Sequence, residues 1–73
     1  MRIRVTGFPN ITDKDDIRRL FSKYGTVETI EKAYGTSIAY VTMPYEHQGK
    51  KAIDSLDGTK ILGRLIIVEE CFS

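Results

Sequence analysis

The sequence predicts an α+β fold: a four-stranded antiparallel sheet with two helices on one face, in the order β-α-β-β-α-β. Three observations predict it. Apolar and polar residues alternate around Ile3 and Val5, Ile30 and Val41, the pattern of half-buried strands, and Leu65-Ile66-Ile67-Val68 reads as a last strand with Ile66 and Val68 inward. Two intervening segments carry apolar residues at helical spacing: Ile17, Leu20, Phe21 and Tyr24, then Ala52, Ile53 and Leu56. The chain has 73 residues, room for one small core, so residues 1–73 read as a single domain.

Each element has its own signals. In the first strand Ile3 and Val5 alternate with Arg2, Arg4 and Thr6, and Gly7-Phe8-Pro9-Asn10 breaks it. Thr12 reads as the N-cap of the first helix, with Asp13, Asp15 and Asp16 in a first turn where the helix dipole favours negative charge. Gly25 marks its stop. The β-branched stretch 26–34 reads as the second strand, Gly35-Thr36 as a hairpin turn and 37–43 as the third strand. Pairing across that turn sets Ile30 opposite Val41, facing the core, and Glu31 opposite Tyr40, facing away. Lys32 then points to the core side, which suits an edge strand. Pro44 opens the second helix, Gly49 inside it predicts a frayed first turn, and Asp57-Gly58 ends it. The last strand runs over 65–69. This order is the ferredoxin-like split unit.

Composition narrows the function classes. Hydrophobic residues are 41% and charged residues 29%, too apolar for disorder and ordinary for a globular domain. The longest apolar run, Leu65-Ile66-Ile67-Val68, is far below the ~20 residues that span a bilayer, so no membrane association is expected. One cysteine, Cys71, rules out an internal disulfide and fits an intracellular setting: nucleus or cytoplasm in a eukaryote, cytoplasm in a bacterium. Eleven basic residues against ten acidic give +1, so bulk charge does not argue for nucleic acid.

The residues narrow the fold further. The stretch Thr12-Asp13-Lys14-Asp15-Asp16-Ile17-Arg18-Arg19-Leu20-Phe21-Ser22-Lys23-Tyr24-Gly25-Thr26-Val27 resembles the first helix and turn of the RNA recognition motif family. Ala52-Ile53-Asp54-Ser55-Leu56-Asp57-Gly58-Thr59-Lys60-Ile61-Leu62-Gly63-Arg64-Leu65-Ile66-Ile67-Val68 resembles its second helix, hairpin loop and last strand. The family's RNA-contacting motif, K/R-G-F/Y-G/A-F/Y-V-x-F/Y, reads here Thr36-Ser37-Ile38-Ala39-Tyr40-Val41-Thr42-Met43. Ala39, Tyr40 and Val41 fit. Thr36, Ser37, Ile38 and Met43 depart from it, and Arg4 stands where the first strand usually carries an aromatic. Of the family's three usual stacking aromatics, Tyr40 alone is present.

Alternation gives the open face: Arg2, Arg4 and Thr6; Thr29, Glu31 and Ala33; Ile38, Tyr40 and Thr42; Leu65, Ile67 and Glu69. The resemblance implies single-stranded RNA as partner, with Tyr40 stacking on a base and Arg4 replacing a missing aromatic through its flat guanidinium. Arg2, Thr6, Ile38 and Ile67 complete the candidate interface, and phosphates would meet Arg4, Arg2 and Lys60. A cross-strand ion pair is the plainer reading of Arg4, and a solvated charge that of Arg2. Two lost stacks at ~1–3 kcal/mol each predict weak binding by an isolated copy. The alternative is a protein-interaction or self-association module, in which Ile38, Leu65 and Ile67 meet a partner or a second copy. The stretch Cys71-Phe72-Ser73 would hide that patch if it folded back. Salt separates the two readings, because phosphate contacts weaken with salt and apolar burial does not.

No catalytic residues, metal site or cofactor are expected. His47 is the single histidine and has no second ligand at helical spacing. Gly58-Thr59-Lys60 lacks the spacing of a phosphate-binding loop, and no nucleophile–base pair can be assembled.

Overall fold

The computed structural model describes residues 1–72. In chain order the elements are β1 (Arg2–Thr6), α1 (Lys14–Ser22), β2 (Thr29–Lys32), β3 (Ile38–Thr42), α2 (Glu46–Leu56), β4 (Lys60–Ile61), β5 (Arg64–Leu65) and β6 (Ile67–Glu70). Four strands form an antiparallel sheet in the order β2-β3-β1-β6, and β4 and β5 pair separately as a short ribbon. Ile3, Val5, Ile30, Ala39, Val41 and Val68 of the sheet are buried in one cluster with Ile17 and Phe21 of α1 and Ala52 and Leu56 of α2. Their alternates Arg4, Glu31, Ile38, Ile67 and Glu69 are exposed. Both helices therefore cover one face and leave the other open, the ferredoxin-like α+β arrangement.

The hairpin register is the expected one. Ile30 pairs with Val41, Glu31 with Tyr40 and Lys32 with Ala39. Lys32 turns to the core side of edge strand β2 and sets its ammonium 5.7 Å from the centre of the Phe8 ring, so its charge guards the edge while its stem covers an aromatic.

Four local expectations are corrected. The N-cap of α1 is Asp13, not Thr12: Asp13 accepts the Asp16 N–H at 3.0 Å and Asp16 accepts the Asp13 N–H at 3.2 Å, a reciprocal capping box that Thr12 has no partner to form. The second strand starts at Thr29, because the Thr26 N–H is engaged by Oε1 of Gln48 on α2 at 2.9 Å instead of by a strand. Gly49 is buried in the first turn of α2, which is formed; a Cβ there would lie 2.2 Å from Sδ of Met1, so the glycine admits the N-terminal side chain against the helix.

The fourth correction bears on the site. The predicted strand 65–69 is split. Leu62 and Gly63 both have positive φ (49° and 82°), the two-residue turn whose twist suits a tight hairpin. That turn draws Arg64 and Leu65 into pairing with Ile61 and Lys60, and the Ile66 N–H bonds to the Thr59 carbonyl at 2.8 Å. The sheet strand begins only at Ile67, so Leu65 pairs within the ribbon and not within the four-stranded sheet. Where this ribbon meets β1, Gly7 has φ 94° and a Cβ would lie 2.5 Å from the Leu65 carbonyl oxygen. At the outer edge of β6, Oδ1 of Asp57 at the end of α2 accepts the Val68 N–H at 2.9 Å.

Candidate nucleic-acid interface

The pairing registers place the open-face residues in rows across the sheet. Glu31, Tyr40, Arg4 and Glu69 form one row, each directly opposite the next on β2, β3, β1 and β6. With strands ~4.8 Å apart the row is roughly 14 Å long. Beside it lies an aliphatic row, with Ile38 and Ile67 flanking Thr6. On the other side Thr29 and Thr42 lead to Arg2.

The charged side chains pair with one another. Arg2 reaches from β1 over β3 to β2: its guanidinium carbon lies 4.4 Å from the centre of the Tyr40 ring, and its terminal nitrogen lies 3.3 Å from Oε1 of Glu31. Cation–π attraction and the ion pair hold the guanidinium on the ring. Arg4 donates to its row neighbour Glu69 through Nε at 3.1 Å and also through Nη2. That hydrogen bond, with the charge of the carboxylate, raises the Arg4 pKa above its ordinary value. Two arginines meet two glutamates, and within these four side chains the charge balances.

Arg4, Tyr40 and Arg2 are brought together as one contiguous group, with Thr6, Ile38 and Ile67 adjoining it. Arg2 is not a plain solvated charge; it covers the tyrosine. Its Nε is buried and has no hydrogen-bond partner, and Nη2 is the nitrogen of the fork that engages Glu31. Glu31 is the residue that sequence reasoning left without a role. The signal was available in the register that sets it opposite Tyr40.

Ile38 and Ile67 are about half exposed, at 48% and 52%. Phe72 is 82% exposed and covers neither; Ser73, the last residue of the fold-back reading, lies outside the described residues. Lys60 sits on the β4–β5 ribbon, not on the sheet. Among the described residues no group of three or more His, Cys, Asp or Glu side chains is placed to hold a metal ion.

The sequence model of the RNA recognition motif matches residues 3–67, nearly the whole chain. The chain belongs to the RNA recognition motif family. It is 32% identical over 75 residues to zinc finger CCCH domain-containing protein 42 of Arabidopsis thaliana, covering 94% of this chain and 21% of that one. It is 34% identical over 64 residues to RNA-binding protein Rsf1 of Drosophila melanogaster, covering 82% and 32%. This RNA recognition motif thus spans between a fifth and a third of the length of the curated relatives it matches. Among solved structures, the motif of S. pombe Puf1 superposes with a TM-score of 0.91 at 23% identity, covering 100% of this chain and 99% of that one. The C. elegans NONO-1 homodimer also gives 0.91, at 24% identity, covering 97% and 28%. At these identities the likeness is one of fold.

Proposed function

We propose that this RNA recognition motif binds single-stranded RNA on the open face of its sheet, weakly as an isolated copy, and acts as an intracellular binding module rather than an enzyme. The observation that carries the reading is the juxtaposition of Tyr40 with Arg4 and Arg2 on the face the helices leave open. Tyr40 supplies a π-surface, Arg2 extends it as a second flat layer, and both arginines present N–H groups suited to phosphate oxygens. Ile38 and Ile67 offer apolar contact to bases or sugars beside Thr6. Weakness follows from the same arrangement. A single aromatic does the stacking, and each arginine must exchange a carboxylate for a phosphate. RNA-binding protein Rsf1, similar over most of this chain, agrees with the class of ligand.

The test is a fluorescence titration of mixed single-stranded RNA at low salt. Tyr40→Ala is expected to weaken binding about fivefold to a hundredfold, the worth of one base stack at ~1–3 kcal/mol. Its melting curve should stay cooperative, because Tyr40 lies outside the core. No binding by the wild type, or equal binding by Tyr40→Ala, overturns the reading. A second reading rests on the exposed aliphatic pair: Ile38 and Ile67 as a contact for a protein partner or a second copy, with Leu65 reaching it only from the neighbouring ribbon. A concentration-dependent dimer abolished by Ile67→Glu would favour that reading.

A further inference from the structure

A second surface lies in the helix layer, away from the sheet face. A groove of about 380 Å3 runs between α1 and the β4–β5 turn. Its apolar walls are Leu20 of α1, Ile61 of β4 and Leu62 at the turn. Leu20 and Ile61 are half-buried against the core, whereas Leu62 is 75% exposed. Leu62 also adopts φ 49°, the left-handed region that a leucine side chain disfavours and that Asn, Asp or Gly ordinarily fill in such a turn. A leucine here is unfavourable both in backbone conformation and in exposure. What it does contribute is apolar surface at the mouth of a groove. Thr12 lines the same groove at 3% exposure, and its hydroxyl has no hydrogen-bond partner.

The rim sets the sign of the partner. Arg19 is engaged by Asp16 at 2.7 Å. Lys23 beside them has no carboxylate within ion-pair distance among the described residues, so the rim carries a net positive charge. We infer that this groove docks an acidic–apolar peptide segment of a protein partner. One leucine, isoleucine or phenylalanine of the peptide would pack between Leu20, Ile61 and Leu62. A flanking Asp or Glu would meet Lys23. The site is separate from the sheet face and does not depend on RNA binding there.

The probe is a synthetic set of ten-residue peptides with one central Leu or Phe flanked by Glu, by Ser or by Lys, titrated into the isotope-labelled chain. Glu-flanked peptides should shift the amides of Leu20, Ile61 and Leu62 and leave Tyr40 still. Leu62→Asn should weaken that binding by about tenfold to a hundredfold, the worth of burying one leucine side chain. It should melt no lower than the wild type, because Asn accepts the left-handed conformation; that result separates lost docking from lost folding. Lys23→Glu should reverse the preference toward Lys-flanked peptides. Four results each overturn the proposal: no peptide binding at about millimolar concentration, equal binding by Leu62→Asn, shifts confined to the sheet face, or concentration-dependent shifts at Leu62 without peptide, which would assign the groove to a second copy.

Discussion

If Glu31 and Glu69 compete with RNA phosphates for Arg2 and Arg4, removing the two carboxylates must change the salt dependence of binding in a calculable way. Each phosphate neutralised on a single strand contributes about −0.7 to the slope of log affinity against log salt. Two unencumbered arginines would give about −1.4. In the wild type each arginine already has a carboxylate, at 3.3 Å for Arg2 and 3.1 Å for Arg4. A phosphate that displaces it leaves a bare glutamate that gathers cations again, which offsets the counterions the phosphate released. The wild-type slope should therefore lie well short of −1.4, and the Glu31→Gln/Glu69→Gln double variant should approach it. Over a fourfold rise in salt the two limits differ by about sevenfold in affinity, and Glu69→Gln alone by about 2.6-fold. The assay is fluorescence anisotropy of a labelled single-stranded RNA at several salt concentrations, with melting curves as a folding control. Parallel salt plots for the wild type and the double variant would refute the competition.

Three further outcomes follow from the fold. Phe21 is fully buried and Leu20 half-buried, so Phe21→Ala should cost ~3–5 kcal/mol and Leu20→Ala clearly less in urea melts; equal losses would contradict the packing. Gly7→Ala forces an L side chain onto φ 94° and a Cβ against the Leu65 carbonyl, so it should destabilise by more than ~1 kcal/mol, and a neutral result would show that β1 and the ribbon can separate. The Arg19 hydrogen bond and the Asp13 backbone N–H hold Asp16 below the usual aspartate pKa, so its contribution is present above the unfolded value and lost as pH falls through the folded one. Asp16→Asn should accordingly flatten the acid limb of a stability–pH curve; an unchanged limb would place the acid sensitivity elsewhere.

The legible parts of this fold are those governed by local periodicity. The stripes of Ile17 with Phe21, and of Ala52 with Leu56, identify the helix faces, and counting back from Gly35-Thr36 fixes Ile30 against Val41 and Glu31 against Tyr40. The N-cap was harder to read because Thr12 and Asp13 are both capping residues; the return bond from Asp16 decides between them. The break between Leu65 and Ile67 was not legible because a positive φ at a leucine is invisible in a sequence pattern. Within the candidate site, alternation placed Arg2, Arg4, Tyr40, Ile38, Thr6 and Ile67 on one face. It is silent on diagonal reach, and the stacking of Arg2 over Tyr40 toward Glu31 spans three strands.

The bond from the Val68 N–H to Asp57 has a consequence for how copies of this motif tolerate close quarters. A sheet grows when an outer strand offers unpaired donors to a neighbouring chain. On the β6 side a donor is occupied by a helix-end carboxylate, and two further carboxylates, Glu69 and Glu70, sit on the same strand. On the β2 side Lys32 turns its ammonium inward across the approach. Both borders of the sheet thus resist strand-by-strand extension. Tandem neighbours in a long polypeptide, or many chains gathered along one transcript, can be held at high local concentration while the route to fibrous aggregation through their sheet borders stays obstructed.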